Sequence, residues 1–502
     1  MSIRPTILFG RHSNFINGRW LPGFQHFPSI NPANKNEVIG EFPQSSQRDV
    51  NDAVEAAKEA YKKWRVVPAP RRGEILYRAA QLMQERKEQL AVLMTREMGK
   101  NLVESRGDVQ EAIDMCQLMA GEGRRLCGET TPSEMPNKFA MSVRMPIGVV
   151  AAITPWNFPI AIPSWKLAPA LIAGNTVVFK PAEDTPACAE AFVQILLDAG
   201  LDEYPGVLNM VHGAGELTGA ALVEHPGVSL VSFTGSSQTG RLVAIECAKE
   251  FKRVSLEMGG KNATIVMDDA DLDLAVESCW WGAFGTAGQR CTASSRLIVH
   301  KDVVDEFSRC LVQRTLRTKI GSGLEEGVDM GPLINQRALD KVVEYVEIAK
   351  REGAMVLCGD GKVGYEHLRN GFFYLPTILL AEDPKMRINQ EEVFGPVTSI
   401  IPVDSFEKAI EMANDVNFGL STAIITRDVN KAFAAMRDLE SGITYVNSST
   451  IGAEVHLPFG GVKRTGNGHR EGGHALDTYT EWKTVYVDFS GKLQKAQIDN
   501  TQ

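Results

Sequence analysis

The sequence predicts an α/β fold of two doubly wound domains, each a mostly parallel sheet covered by helices on both faces, with a small β extension outside them. Three observations carry this. Short β-rich runs at 149–153, 176–179, 206–211, 229–233 and 263–267 are separated by helical stretches long enough for right-handed crossovers. The rhythm restarts after Gly259-Gly260 with a helix over 271–281, a strand over 295–299, a helix over 303–316 and a further α/β series to about 460. A second domain is the simplest account. Two alternating runs, 138–143 and 480–488, fall outside both series. They suit sheet extension across a subunit boundary, and an ordinary intramolecular hairpin accounts for them equally well.

Taken in order, residues from about 47 to 125 form a helical layer. Val50, Ala53, Val54, Ala57 and Ala60 recur at helical spacing over 48–64, and the pattern continues through 70–98. The stretch 146–165 holds twenty residues without a charge, the length of a membrane span. Pro146, Pro155, Pro159 and Pro163 would break such a helix repeatedly, so it is read as a strand, a buried loop and a helix start. The remaining elements follow the alternation above, and no repeat or low-complexity tract interrupts them.

The 502 residues exceed what one core usually fills. A net charge of −9, from 53 basic and 62 acidic side chains without long single-sign runs, gives no footprint for nucleic acid. Eight cysteines at irregular spacing, with no C-x-x-C pair, fit free thiols in a reducing, cytoplasmic compartment and offer no zinc or other metal site. Met1-Ser2-Ile3-Arg4-Pro5 opens no apolar signal segment, so neither secretion nor a membrane partner is expected.

The chemistry centres on Gly288-Gln289-Arg290-Cys291-Thr292, a cysteine in a glycine-flanked turn, and on Glu257, thirty-four residues before it in Leu256-Glu257-Met258-Gly259-Gly260-Lys261. A thiol must lose its proton to attack, and the thioester it forms needs an activated water to leave, so the pair outlines a two-step covalent catalyst. A free cysteine titrates near ~8.5, and a local lowering by helix termini is expected. Around this pair, Asn157 in a Pro-flanked apolar loop can donate to an oxyanion. Phe233-Thr234-Gly235-Ser236 enters a helix through small residues that a phosphate can approach. Gly235 and Gly240 are five apart and Gly213-Ala214-Gly215 lacks a third glycine, so this is not the usual dinucleotide fingerprint. Lys180 and Glu183 follow a strand, where they can reach a nucleotide ribose. Taken singly, each has a plainer reading as helix cap, turn former, solvated loop charge or packing cysteine.

Together they match one pattern. Thr154-Pro155-Trp156-Asn157-Phe158-Pro159, Phe233-Thr234-Gly235-Ser236, Leu256-Glu257-Met258-Gly259-Gly260-Lys261, Gly288-Gln289-Arg290-Cys291, Glu392-Val393-Phe394-Gly395-Pro396 and Pro458-Phe459-Gly460-Gly461, in this order, resemble the aldehyde dehydrogenase superfamily from about residue 15 to 493. The resemblance implies a Rossmann-like NAD-binding domain (1–127 and 147–258), a catalytic domain (259–463) and an oligomerisation extension (128–146 and 479–502) of a homodimer or homotetramer. It implies Cys291 as nucleophile, Glu257 as base for deacylation and Asn157 with the Cys291 N–H as oxyanion donors. Lys166 falls where the family has a lysine linked to proton release. Lys180 and Glu183 match residues on the adenosine ribose, Ser236 one at the pyrophosphate, and Glu392 the carboxylate on the nicotinamide ribose. Thr154, Trp156, Gly215, Gly235 and Phe394 complete the cofactor surface. A carboxylate at 183 accepts from a 2′ hydroxyl and repels a 2′ phosphate, so NAD is expected over NADP. Glu257 favours hydrolysis over transfer to coenzyme A, since members passing the acyl group to coenzyme A usually lack this base.

For the aldehyde, Arg290 is suggestive: a guanidinium beside the nucleophile can hold a substrate carboxylate bidentately, and otherwise it is an outward arginine paired to a surface acid. Asp108-Val109-Gln110-Glu111-Ala112, Gly285-Thr286-Ala287-Gly288 and Gly452-Ala453-Glu454 resemble the antiquitin-like branch, which oxidises α-aminoadipic semialdehyde. There Glu111 would meet the substrate amino group, Arg290 its carboxylate, and backbone N–H groups near Gly452 and Ala453 would assist. The loop at Thr154-Pro155-Trp156-Asn157 and His456-Leu457-Pro458 depart from that branch, so another acid-bearing semialdehyde such as α-ketoglutaric semialdehyde fits as well. The other readings are a broad aliphatic aldehyde dehydrogenase, a catalytically silent member of the fold, and a cysteine hydrolase, which would need a histidine beside Cys291.

Overall fold

The structure, a computed structural model, describes residues 10–499. The opening five residues, read above for a signal segment, lie outside them, as do the outer ends of the first and last expected domain ranges. Two seven-stranded sheets form the frame. In the first, Arg253–Glu257, Leu230–Thr234, Val149–Ile153, Thr176–Lys180 and Leu208–Met210 lie side by side and parallel. Ser13–Ile16 and Arg19–Pro22 add an antiparallel edge. The second runs Met355–Cys358, Thr377–Leu380, Val397–Val403, Ser294–His300, Asn262–Val266, Ser421–Ile425 and Ile443–Val446, parallel except for its first strand.

The central strands Val149–Ile153, Thr176–Lys180, Asn262–Val266 and Ser421–Ile425 are buried at every residue, as parallel strands covered on both faces must be. That is why they read as continuous apolar runs. The helical layer is Gln47–Trp64, Ala69–Glu85, Lys87–Met98 and Leu102–Glu122. Ser46 and Asp49 close a capping box at the first, worth about 1 kcal/mol, and its inward stripe is the expected Val50, Ala53, Val54, Ala57 and Ala60. The pattern read as continuous over 70–98 is broken at Arg86, which ends one helix and begins the next.

The charge-free stretch resolves into the end of the strand Lys138–Pro146, the strand Val149–Ile153, a loop and the helix Ala161–Ala173. Among the described residues no helix is long and apolar enough to cross a membrane. Lys138–Pro146 pairs antiparallel with Thr480–Asp488 over nine residue pairs and with Glu129–Pro132 on its other side. The two outlying runs therefore meet within one chain. The outer strand exposes Trp482, Tyr486 and Val487. The hairpin His26–Asn31 with Asn34–Pro43 was not foreseen, nor was the antiparallel edge.

Candidate active site

The first sheet reverses its strand order between Val149–Ile153 and Leu230–Thr234. Chain direction brings Thr154-Pro155-Trp156-Asn157 and Thr234-Gly235-Ser236 to the carboxyl edge at that switch point, where open α/β sheets bind ligands. Glu257 ends the next strand on the same edge, and Lys180 ends the strand beyond Ile153. The second sheet presents its amino edge: Gly260, Cys291 and Glu392 each stand a few residues before one of its strands. The two edges face one another. Across them, Asn157 Nδ2 donates to the Gln289 carbonyl at 3.0 Å; within each edge, Gly235 N–H donates to the Glu257 carbonyl at 3.1 Å and Gly260 N–H to Glu392 Oε1 at 2.9 Å.

Cys291 leaves a strained turn. Thr286 (φ 54°), Ala287 (φ 54°) and Gly288 (φ 67°) are three successive left-handed residues, and a β-branched threonine there is costly. Only glycine serves at 288, because an added Cβ would lie 2.1 Å from the Gly395 carbonyl oxygen. Gln289 anchors the turn, donating to the carbonyls of Thr286 and Pro332 (both 3.2 Å) and accepting from Ile334 N–H (2.9 Å). Buried Asn157 donates through Nδ2 to the Gln289 carbonyl at 3.0 Å, which brings its amide to the cysteine loop with one N–H left over. Asn262 donates to the Cys291 carbonyl at 2.7 Å. The expected lowering of the thiol is overturned: burial, then the carboxylates of Glu392 and Glu257, push it up to about 12. A thiol so placed keeps its proton at neutral pH until a base removes it.

Glu257 is 3% exposed, and neither carboxylate oxygen has a well-formed hydrogen-bond partner. Burial and the charge of Glu471 hold its pKa well above the usual carboxylate range, against the pull of Lys166 and Arg470. Gly460 permits its approach, since a Cβ there would lie 2.5 Å from Oε1. Lys166 is fully buried on the helix Ala161–Ala173 and donates to Glu471 and, at 3.1 Å, to Ser232 Oγ, which also receives Tyr479 OH at 2.9 Å. The lysine is therefore paired in a buried polar chain beside Glu257. Glu471 was not foreseen from sequence.

On the nucleotide side, Lys180 Nζ donates to the Pro181 carbonyl (2.8 Å) and to Glu183 (3.4 Å), whose side chain is 40% exposed. Ser236 caps the helix Ser237–Lys249 by accepting from Thr239 N–H, and Thr234 Oγ1 is buried without a partner among the described residues. Thr154 N–H donates to the Lys180 carbonyl at 3.3 Å. Trp156 and Phe394 meet edge to face at 5.6 Å. Gly259 forms a cradle for Glu392, since a Cβ there would lie 2.2 Å from Oε2. A buried carboxylate in a glycine cradle, an orphaned hydroxyl and an open helix N-terminus suit a dinucleotide lying across the switch point. Lys261 and Lys341, unforeseen, attract Glu392, whose pKa burial raises. Gly215 stands exposed, and an added Cβ there would meet nothing within 4 Å, so no local packing requires glycine.

Arg290 is neither free nor turned outward. Its Nη2 donates to Glu104 Oε1 at 2.8 Å and its Nε to Thr286 Oγ1 at 2.8 Å, with the Glu104 side chain only 2% exposed. Phe158 and Trp281 each place a ring 5.2 Å from the guanidinium. A two-edged grip on a substrate carboxylate is therefore blocked on the Nε/Nη2 edge, and Nη1 alone lacks a hydrogen-bond partner among the described residues. Glu104 carries no sequence signal beyond an acid in a first helical turn. Glu111 does come near: burial and Asp108 push it up to about 8, with Lys100, Arg290 and Trp165 pulling it down. Gly452 (φ 129°) and Ala453 follow Ile451, whose Cδ1 approaches Gly285 in the nucleophile turn. His300 stands at the far end of its strand, against the Asp404 carbonyl, away from Cys291.

Residues 20–485 match the model of the Aldehyde dehydrogenase family. The chain is 42% identical over 478 residues to the alpha-ketoglutaric semialdehyde dehydrogenase of Bacillus subtilis, covering 94% of this chain and 97% of that protein. It is 39% identical over 489 residues to the succinate-semialdehyde dehydrogenase of Escherichia coli, whose name specifies NADP(+), covering 97% and 100%. Among solved structures, betaine aldehyde dehydrogenase of Staphylococcus aureus in complex with NAD+ superposes with a TM-score of 0.93 at 34% identity, covering 96% of this chain and 95% of that one. Sequence, fold and the meeting of the two sheet edges agree: the chain belongs to the aldehyde dehydrogenase family, enzymes that oxidise aldehydes with NAD(P).

Proposed function

We propose that this enzyme oxidises a semialdehyde bearing a distal carboxylate, of the α-ketoglutaric type, to the diacid, with NAD preferred and Cys291 as nucleophile. The observation that carries the mechanism is Cys291 on a braced turn opposite a buried Glu257 whose oxygens lack a well-formed partner among the described residues. The Cys291 sulfur bonds to the aldehyde carbon while its proton passes to water. The carbonyl oxygen takes up the negative charge, met by the Cys291 N–H and the free amide hydrogen of Asn157. A bound nicotinamide ring supplies the hydride acceptor. Loss of hydride leaves a thioester on Cys291. Glu257 then takes a proton from water, whose oxygen attacks the thioester carbon as the C–S bond breaks, and the buried chain through Lys166 and Glu471 carries that proton outward. Lys180, Glu183, Ser236 and Glu392, with Thr154, Trp156, Gly215, Gly235 and Phe394, form the cofactor surface on this reading.

The substrate class rests on Arg290 at the nucleophile turn, with Glu111, Gly452 and Ala453 around it, and on the names of the relatives. One charge-assisted hydrogen bond from Nη1 is worth about 1.5–3 kcal/mol, so a carboxylate-bearing aldehyde should exceed an alkanal of equal length by roughly ten- to hundred-fold in kcat/KM. Arg290→Ala is expected to remove most of that ratio. Both substrates use the same turn, so the ratio cancels any disturbance of it. Equal efficiencies in the unmodified enzyme would leave a broad aliphatic aldehyde dehydrogenase, a reading favoured by the Glu104 pairing that already neutralises Arg290.

NAD preference rests on Glu183, which is open to solvent beside buried Lys180. Glu183→Gln removes a charge that repels a 2′ phosphate, and the NAD/NADP ratio of kcat/KM should fall roughly ten-fold. An unchanged ratio would move the discriminating contact elsewhere. The exposed apolar strand Thr480–Asp488 supports a homodimer or homotetramer built by sheet extension. Eight free cysteines support a reducing, cytoplasmic location.

A further inference from the structure

The helix Leu102–Glu122 begins at the seam between the two domains. Asn101 caps it, accepting from Glu104 N–H at 2.9 Å, and reaches across to donate to the Asp329 carbonyl at 2.9 Å. Leu102 N–H donates to the Gly323 carbonyl at 3.0 Å. Glu104 and Asp108 are four apart and share a face of this helix. Each holds one half of the site. Asp108 accepts from Ala161 N–H at 2.8 Å, fixing the end of the loop that carries Asn157, and is paired with buried Lys100 at 2.9 Å. Glu104 Oε1 accepts from Thr286 Oγ1 and from Arg290 Nη2, both at 2.8 Å, while Arg290 Nε donates to the same Thr286 hydroxyl. The three side chains close a ring around the left-handed turn that delivers Cys291.

We propose that Glu104 is a positioning residue for the nucleophile: a buried carboxylate of the first domain that clamps the strained 286–288 turn of the second and so fixes where Cys291 stands relative to Asn157. A left-handed threonine persists only where its surroundings over-determine it. The hydroxyl of Thr286 has two partners here and Ala287 has no polar side chain, so the ring pins the start of this turn from the first-domain side, as Asn157 does its end at Gln289. Gln289 pins the other side through the Pro332–Ile334 segment. The same ring decides which edge of Arg290 is spent, leaving Nη1 for other contacts. Glu104 thereby acts on every aldehyde, whatever its far end.

The proposal rests on Cys291 as nucleophile, and its test keeps the two apart. The first turnover is followed as the NADH burst in the full-length enzyme, with an alkanal and with a carboxylate-bearing semialdehyde of equal length. Glu104→Gln and Thr286→Val should each slow the burst by roughly ten- to hundred-fold, by the same factor for both aldehydes, with NAD affinity unchanged. A lowered melting temperature with an unchanged burst rate would make the ring structural only and overturn the proposal. Slowing confined to the acid-bearing aldehyde would overturn it too, by assigning Glu104 to the substrate site. Thr286→Val reports on the ring from the other domain if Glu104→Gln does not fold. A burst that survives Cys291→Ala would instead overturn the nucleophile assignment.

Discussion

Glu257→Gln is expected to leave one turnover and remove the next. The substitution keeps the volume of a side chain that is 3% exposed and whose oxygens have no well-formed partner, so the fold should tolerate it. Attack by Cys291 and loss of hydride do not require a base for water, and NADH should appear in a burst of about one per subunit. Steady turnover should then drop by roughly 10²–10⁴-fold, the usual contribution of a positioned general base. The pH profile carries the same signature. Burial and Glu471 hold the Glu257 carboxyl above its usual range, so the competent carboxylate is lost as pH falls through that raised value and turnover rises toward alkaline pH. In Glu257→Gln that dependence should disappear from kcat. A loss of burst and turnover together would place Glu257 in the first step instead.

Cys291→Ala should abolish aldehyde-dependent NADH formation, by on the order of 10⁴-fold or more, because no other group stands in the turn to form the covalent intermediate. Binding of NAD should survive, since the strand ends and the Ser236 helix cap lie on the other sheet edge. Retained turnover, or ester hydrolysis independent of cofactor, would contradict the assignment. A silent member of the fold would show no turnover before the substitution either.

Much of this architecture is legible in the chain because fully buried parallel strands leave unbroken apolar runs, as at Val149–Ile153 and Asn262–Val266. The antiparallel edge at Ser13–Pro22 is not, since four-residue strands with polar Asn14 and Arg19 carry no clear period. Nor is the break at Arg86, where neither glycine nor proline marks the turn. Cys291 and Glu257 are legible only jointly with the other motifs, each being unremarkable alone. The environment of the thiol is out of reach, because it depends on burial and on carboxylates at 257 and 392, brought in from another sheet and another loop. The partner of Arg290 is equally hidden: Glu104 lies 186 positions away, in a helix that reads as ordinary.

The most direct test of a covalent, two-step oxidation at Cys291 is the mass of Glu257→Gln after mixing with NAD and α-ketoglutaric semialdehyde, followed by peptide mapping. The peptide that carries Cys291, and none of the other cysteines, should gain the mass of the aldehyde less two hydrogens, the transferred hydride and the released proton. An unmodified Cys291 while NADH has formed, or an adduct on a different cysteine, would contradict it.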